Sequence, residues 1–384
     1  MKLMIVAGEP SGDAHSASLV KALRQIAPEV EFELFGATGP LMRAQGVETT
    51  VNSDSLAIMG IVEVTRVLPR FIRAFRKLKA EAIKRKPAAV VLIDWPEFNL
   101  RLASALHRNG IKVIYYISPQ LWAWRSKRVK RIKRDVDLLL SILPFENEWY
   151  KQRGVEHVEF VGHPLSGEVK AHVSREEFCR KHKLDPQRPI ISFLPGSRHK
   201  ELVRILPPML DAARLLGDQH SEFQFVLVVA PSRKPQEANQ IIAQRSDADW
   251  FPKRLTLVHH ETRDAVAASD VAAVASGTAT LEAALLETPM VIVYKESAIN
   301  WHTLGRLINV EHYGLANLVA GKRLVTELMQ NDLTGPKLAE ELLKLLEPQR
   351  NSALRNELHR IAEQLGEGGA SRRAAEAIMR ELDR

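Results

Sequence analysis

One cysteine, Cys179, stands among 384 residues, so neither an internal disulfide framework nor a cysteine-cluster zinc or iron–sulfur site can be built. A lone thiol fits a reducing compartment. Long apolar runs are also missing. Nothing approaches the roughly 18 to 20 uninterrupted apolar residues of a spanning helix, and the opening MKLMIVAGEPSGD reaches glycine and glutamate too soon for a secretory signal. These absences point to a soluble or peripheral protein of the cytoplasm. G-x-G-x-x-G, the P-loop, H-E-x-x-H, an EF-hand loop and G-x-S-x-G are absent too, which removes the usual support for dinucleotide, ATP, metalloprotease and serine-hydrolase readings. No low-complexity segment or short-period repeat is visible.

What is present is the composition of a packed protein: 45% hydrophobic and 26% charged residues exclude wholesale disorder. At roughly 150 residues per domain the length implies two or three domains. Lys and Arg number 54 against 46 Asp and Glu, a net charge of +8. That excess favours anionic partners without separating nucleic acid, phospholipid surfaces and phosphorylated metabolites. Short β-branched runs recur at Leu3–Ala7, Ala88–Asp94, Lys112–Ile117, Asp137–Ile142 and Val158–Val161. A second series follows at Ile190–Leu194, Phe223–Val229, Leu255–His259, Val271–Ala275 and Met290–Tyr294. Most of the runs are continuously apolar and not alternating, as in strands buried on both faces. Helical patterns separate them, for example Asp13–Gln25, Phe98–Asn109, Leu202–Leu216 and Thr278–Leu286. This alternation predicts an α/β protein of doubly wound parallel sheets. Because the alternation lapses near Pro164–Val173, we expect two similar Rossmann-like domains facing across a cleft, residues 1–165 and 166–350, and not one barrel. Residues 351–384 form a helical segment expected to pack back on the first domain.

Ligands of open parallel sheets bind beyond the carboxyl ends of the strands, so the post-strand loops carry most of the functional weight. Gly8-Glu9-Pro10-Ser11-Gly12-Asp13 opens a helix after the first strand; it suits close approach of a ligand, and equally a tight turn capped by Ser11 or Asp13. Asp94 ends a buried strand and should face the cleft, as a general base or as a helix cap, with Glu97 as a rival. Ser118 to Trp124 carries two tryptophans, Trp122 and Trp124, fit for a sugar-stacking wall or for interdomain packing. Leu194-Pro195-Gly196-Ser197-Arg198 joins backbone N–H groups to a guanidinium and suits a diphosphate. Ser276, Gly277 and Thr278 make a second such turn, and Glu282, one turn inside its helix, is placed to accept ribose hydroxyls. Asn317, polar in an apolar segment, is a satisfied turn residue or a ligand contact. His163 reads as a hinge or cleft residue and not a metal ligand.

From Arg66 to Lys86 the chain has nine Lys and Arg against one acid, Glu81, with Leu68, Phe71, Ile72, Phe75 and Leu78 at helical spacing. The apolar stretch Leu56–Val62 precedes it. Such a pair suits docking to an anionic bilayer, with Ile58, Met59, Ile61, Val62, Arg70 and Arg73 as the membrane-facing candidates. Arg125–Arg134 adds seven Lys and Arg with no acid. A solvated face explains charge runs as well, and no nucleic-acid motif accompanies them.

Taken in order, eight segments resemble the lipid-A-disaccharide synthase family: VAGEPSGD from Val6, MGIVEV from Met59, IDWPEFN from Ile93, SPQLWAW from Ser118, FVGHP from Phe160, LPGSR from Leu194, ASGTATLE from Ala275 and NLVAG from Asn317. They span almost the whole chain. Pro10, where the family usually has Ala, and Trp95 and Glu97 depart from its pattern without removing a functional group. The resemblance implies an inverting, metal-independent glycosyltransferase of the two-Rossmann-domain (GT-B) class, with no cofactor. It would join UDP-2,3-diacylglucosamine to 2,3-diacylglucosamine 1-phosphate (lipid X), forming the β(1→6) lipid A disaccharide and releasing UDP. It would act on the cytoplasmic face of the bacterial inner membrane. By the same resemblance Asp94 is the base, Arg198, Ser276, Gly277, Thr278, Glu282 and Asn317 serve the UDP-sugar, and Glu9, Ser11 and Gly12 form the acceptor-side first loop. No nucleic-acid partner is expected, and a homo-oligomer stays open. A UDP-sugar epimerase on the same fold, or a non-enzymatic adaptor using the basic stretches, are the rival readings.

Overall fold

A computed structural model of the chain describes residues 1–55, 64–123, 125–296 and 312–383. Among these residues thirteen strands form two all-parallel sheets. The first holds β1 (Lys2–Ala7), β2 (Glu33–Thr38), β3 (Glu48–Asn52), β4 (Ala89–Ile93), β5 (Val113–Tyr116), β6 (Leu138–Ser141) and β7 (Val158–Phe160) in the order β3-β2-β1-β4-β5-β6-β7. The second holds β8 (Ile190–Leu194), β9 (Gln224–Val229), β10 (Leu255–His259), β11 (Val271–Ala275), β12 (Met290–Tyr294) and β13 (Glu327–Met329) in the order β10-β9-β8-β11-β12-β13. Three strands go beyond the sequence expectation. β3 reads ETTVN and is largely exposed, β13 has three residues, and β2 carries Gly36 beside a register shift, so none presents a continuous apolar run.

Chain contacts divide the protein into two compact units, Met1–Ser166 with Leu365–Arg384, and Gly167–Gln364. In the first unit alternate residues of β1 feed two cores. Met4 and Val6 pack with Leu92, Leu102 and Tyr115 on one face, while Leu3, Ile5 and Ala7 pack with Leu19, Leu23 and Ile378 on the other. Each such fully buried Leu, Ile or Val contributes roughly 1.5–3 kcal/mol, which is why the central strands are apolar on both sides. The stretch 351–384, expected as one returning segment, is two helices. Pro348–Gln364 stays with the second unit, and Ala370–Leu382 packs on the first. Gly366, Gly368 and Gly369, all at positive φ, make the break between them. In the second unit β11 and β12 are buried almost end to end.

Candidate active site

In both sheets the strand order reverses between two neighbours, β1 and β4 in the first and β8 and β11 in the second. Such switch points open a crevice beyond the strand ends. In the first unit the crevice lies between the loop after β1 and residue Asp94 after β4, since Ala7 pairs with Ile93. A Cβ on Gly8 would lie 2.1 Å from the Trp95 ring, so only glycine lets the indole cover this loop. Trp95 in turn stacks on Phe98 at 4.0 Å and meets Phe71 at 5.7 Å.

Asp94 and Trp95 sit at φ 48° and 51°, a left-handed geometry that costs non-glycine residues about 1–3 kcal/mol each. The neighbours that hold it are polar and local to the sheet. Asn99 Nδ2 donates to the Asp94 carbonyl at 2.8 Å and to that of Ile93 at 3.2 Å, and the Tyr115 hydroxyl donates to the Asp94 carbonyl at 2.6 Å. The backbone is thus fixed at the point where the carboxylate leaves it. Burial, and then the charge of Glu9, push the Asp94 pKa up to about 6, with a hydrogen bond from the Trp95 backbone opposing them. A carboxylate tuned close to neutrality is what proton abstraction requires. Glu97 differs: Arg128 grips both its oxygens at 2.8 and 2.9 Å, and Arg125 also donates to it. The Arg128 hydrogen bond holds its pKa below the ordinary value, so Glu97 is a fixed charge and not a rival proton acceptor.

The first loop resolves differently from its expected capping roles. The helix Pro10–Ile26 starts with Glu9 at its N-cap and no side-chain cap. Asp13 is buried and accepts from the backbone N–H groups of Gly39, Leu41 and Met42 at 3.0, 2.8 and 3.1 Å, capping the helix Pro40–Ala44 instead. Glu9 and Ser11 are exposed beside Asp94's strand, and Gly12 is buried, its carbonyl accepting from Ser16 Oγ at 2.6 Å. Trp122 donates to Glu146 at 3.0 Å and meets Phe145 edge-on, which ties it into the first unit. His163 is buried, accepts from the Leu165 N–H, and is pushed down to a pKa of about 4 by burial and then by His15. Ile58, Met59, Ile61, Val62 and Trp124 lie outside the described residues. Arg70 and Arg73 are exposed on the helix Val64–Arg85. Among the described residues no group of three or more His, Cys, Asp and Glu is placed to hold a metal ion.

In the second unit the loops after β8, β9, β10 and β11 enclose a cavity of about 610 Å³, within the range of small-ligand pockets. Arg198, Ser276, Gly277, Thr278 and Glu282 all line it. Gly277, at φ 145°, caps the helix Thr278–Leu285 without any side-chain cap, leaving backbone N–H groups directed past the strand end. Ser276 Oγ donates to the Tyr313 carbonyl at 3.2 Å. Arg198, which starts the helix His199–Gln219, donates to Glu201 at 2.7 Å, and the other Glu201 oxygen accepts from the N–H groups of Ser197 and Arg198 at 3.0 and 3.2 Å. A carboxylate therefore occupies the cradle expected for a diphosphate.

Asn317, expected as a satisfied turn residue or a ligand contact, is tied into the fold. It is fully buried and absent from the cavity wall. Its amide donates to the Val325 carbonyl and to Glu327 and accepts from the N–H groups of Leu324 and Val325, all at 2.8–2.9 Å. That full set of bonds makes it a tertiary tie. Sequence reasoning also missed Glu201, Arg263, Asn99 and Tyr115. Arg263 had a legible signal, its place just after β10.

Two parallel sheets, each with a switch point in its strand order, define a GT-B type fold. The same fold is found in the S. aureus MnaA–UDP co-structure (TM-score 0.65, 15% identity, 100% of this chain and 97% of that one). It is found also in the calicheamicin glycosyltransferase CalG4 (TM-score 0.63, 15% identity, 100% and 98%). The family model for lipid-A-disaccharide synthetase (LpxB) matches residues 3–381. The lipid-A-disaccharide synthase of Solibacter usitatus is 41% identical over 100% of this chain and 98% of its own length, and that of Geobacter sulfurreducens 40% over 99% and 97%. The chain belongs to the lipid-A-disaccharide synthase family and is a glycosyltransferase of lipid A biosynthesis.

Proposed function

We propose that the enzyme moves 2,3-diacylglucosamine from its UDP derivative to the primary hydroxyl of 2,3-diacylglucosamine 1-phosphate, with inversion, giving the β(1→6) disaccharide 1-phosphate and UDP. Asp94 takes the hydroxyl proton as the oxygen attacks the anomeric carbon and the bond to the diphosphate breaks. Arg198 and the N–H groups at the Gly277 turn meet the charge that develops on the departing UDP, which requires Arg198 to exchange Glu201 for phosphate oxygens. Ser276 and Thr278 frame this turn, and Glu282 accepts the ribose hydroxyls. Asn317 acts indirectly, by holding the segment from Gly314 to Glu327 behind the cavity. On this reading the first unit serves the acceptor, with Glu9, Ser11 and Gly12 beside it, and the second serves the donor.

The observation that carries the proposal is the Asp94 carboxyl, tuned to about 6 at the first sheet's switch point, in a chain of this family. The test is an assay of purified enzyme with both lipid substrates, following UDP release with and without chelator. Disaccharide should form only when both are present, and Asp94→Ala should abolish it with the fold retained. Substantial turnover by that variant rejects Asp94 as the base, and epimerised sugar from donor alone favours an epimerase.

Both substrates carry acyl chains, so the enzyme must meet a lipid surface. The helix Val64–Arg85 exposes Leu68 and Ile72 among Arg70, Arg73, Arg76 and Lys77, and each cation near an anionic surface contributes roughly 1 kcal/mol. We read this helix as the docking face on the cytoplasmic side of the inner membrane. Among the described residues no helix is long and apolar enough to cross a membrane.

A further inference from the structure

One guanidinium on the cavity wall has no part in the reaction just described. Arg263 stands two residues into the helix Thr262–Ala267, after β10, and lines the same cavity as Glu282. Its Nε and Nη2 both donate to Glu282 Oε1 at 3.2 Å, and its Nη1 donates to the Glu168 carbonyl at 2.9 Å. Glu168 lies just past Gly167, where the second unit begins. The next residue, Asp264, fixes the same incoming segment by accepting from the N–H groups of His172 and Val173. The fork is therefore anchored at one end on a pinned stretch of backbone and at the other on a ligand-facing carboxylate.

We infer that Arg263 is a positioning residue that sets the rotamer of Glu282 for recognition of a vicinal diol, the ribose of the nucleotide. An ionised carboxylate has about four lone-pair sites on its two oxygens, so a grip confined to Oε1 leaves Oε2 to accept hydroxyl hydrogens. A planar guanidinium with three nitrogens engaged fixes the carboxylate far better than an ammonium, whose charge is a point on a flexible stem. Without the fork, Glu282 is a mobile side chain that must be ordered each time a nucleotide binds. Arg263 itself touches no ligand on this account. Its effect reaches the nucleotide only through Glu282, and so only through the hydroxyls that Glu282 reads. The inference rests on the proposed ribose role of Glu282 and is tested so that the two can fail separately.

The experiment measures affinities of the full-length wild type, Glu282→Gln, Arg263→Gln and Arg263→Lys for UDP and for 2′-deoxy-UDP by titration calorimetry, with thermal unfolding as the check on folding. A lost hydrogen bond to a charged acceptor corresponds to about tenfold or more in affinity, so wild type should prefer UDP by about that factor. Glu282→Gln should erase most of the preference. Arg263→Gln should erase it to a similar degree, while Arg263→Lys keeps the charge and folding but only part of the preference. If wild type shows no preference, or Glu282→Gln keeps it, the ribose reading falls and the inference with it. If Glu282→Gln behaves as expected but folded Arg263→Gln retains the full preference, Glu282 reads ribose unaided and the inference alone is overturned.

Discussion

At the carboxyl edge of the first sheet Asp94 is half-buried, and burial and then the charge of Glu9 push its pKa up to about 6. At the matching edge of the second sheet the cavity is lined by charges already matched, Arg198 with Glu201 and Arg263 with Glu282. Two sheets of the same construction thus treat ionisable groups in opposite ways. Burial beside a like charge makes a group whose proton is easily gained and lost. Pairing in partial solvent makes groups that stay charged and can trade one anion for another. The first arrangement suits proton transfer and the second suits gripping and releasing a diphosphate.

The sharpest way to break this contrast is Asp94→Asn, which should lower turnover by about 10³-fold while leaving UDP affinity unchanged. A parallel loss of UDP binding would mean the two edges do not divide the work. The same substitution should raise the unfolding temperature at neutral pH. A folded pKa above the ordinary value means the native state binds more protons than the unfolded one, so ionised Asp94 costs stability that grows as pH rises from about 4 through about 6. The pH dependence follows: kcat/KM should fall about tenfold per unit as pH drops below about 6, and the residual activity of Asp94→Asn should lack that limb.

Asn317→Ala sharpens the second edge by separating structure from ligand contact. Removing an amide that answers four buried partners should destabilise the protein by about 2–4 kcal/mol in urea unfolding, with UDP affinity of the folded fraction preserved. A selective loss of UDP binding would restore the contact role. The smallest effect is expected from Glu201→Gln. It keeps an acceptor for the helix start but frees Arg198 of a competing charge, so UDP should bind about threefold more tightly at low salt, and the gain should vanish at high salt.

Much of this was legible in the sequence for one reason: a strand buried on both faces must be apolar throughout, so its end is marked by the first polar residue. Asp94 and Ser276 stand out that way, while Arg198 and Glu282 lie a few residues further on, in the loop or helix that follows such an end. Strands β3 and β13 were not, because edge strands need no such run. Partnerships across the fold were illegible as well. Arg263 meets Glu282 across 19 positions and Tyr115 meets Asp94 across 21, spacings that only sheet order brings together. Asp13 and Asn317 show the converse. A polar residue in an apolar setting looks the same whether it awaits a ligand or answers a neighbouring backbone, and both do the latter.

The helix Ala370–Leu382 fills part of the core over Leu3 and Ile5 with Ala374, Ala377 and Ile378. A nascent chain therefore makes β1 to β7 well before the helix that walls one of their faces, with the whole of the second unit translated between them. Synthesis order and completion order thus differ, and the first unit's sheet must stay shielded from aggregation until that helix has been made.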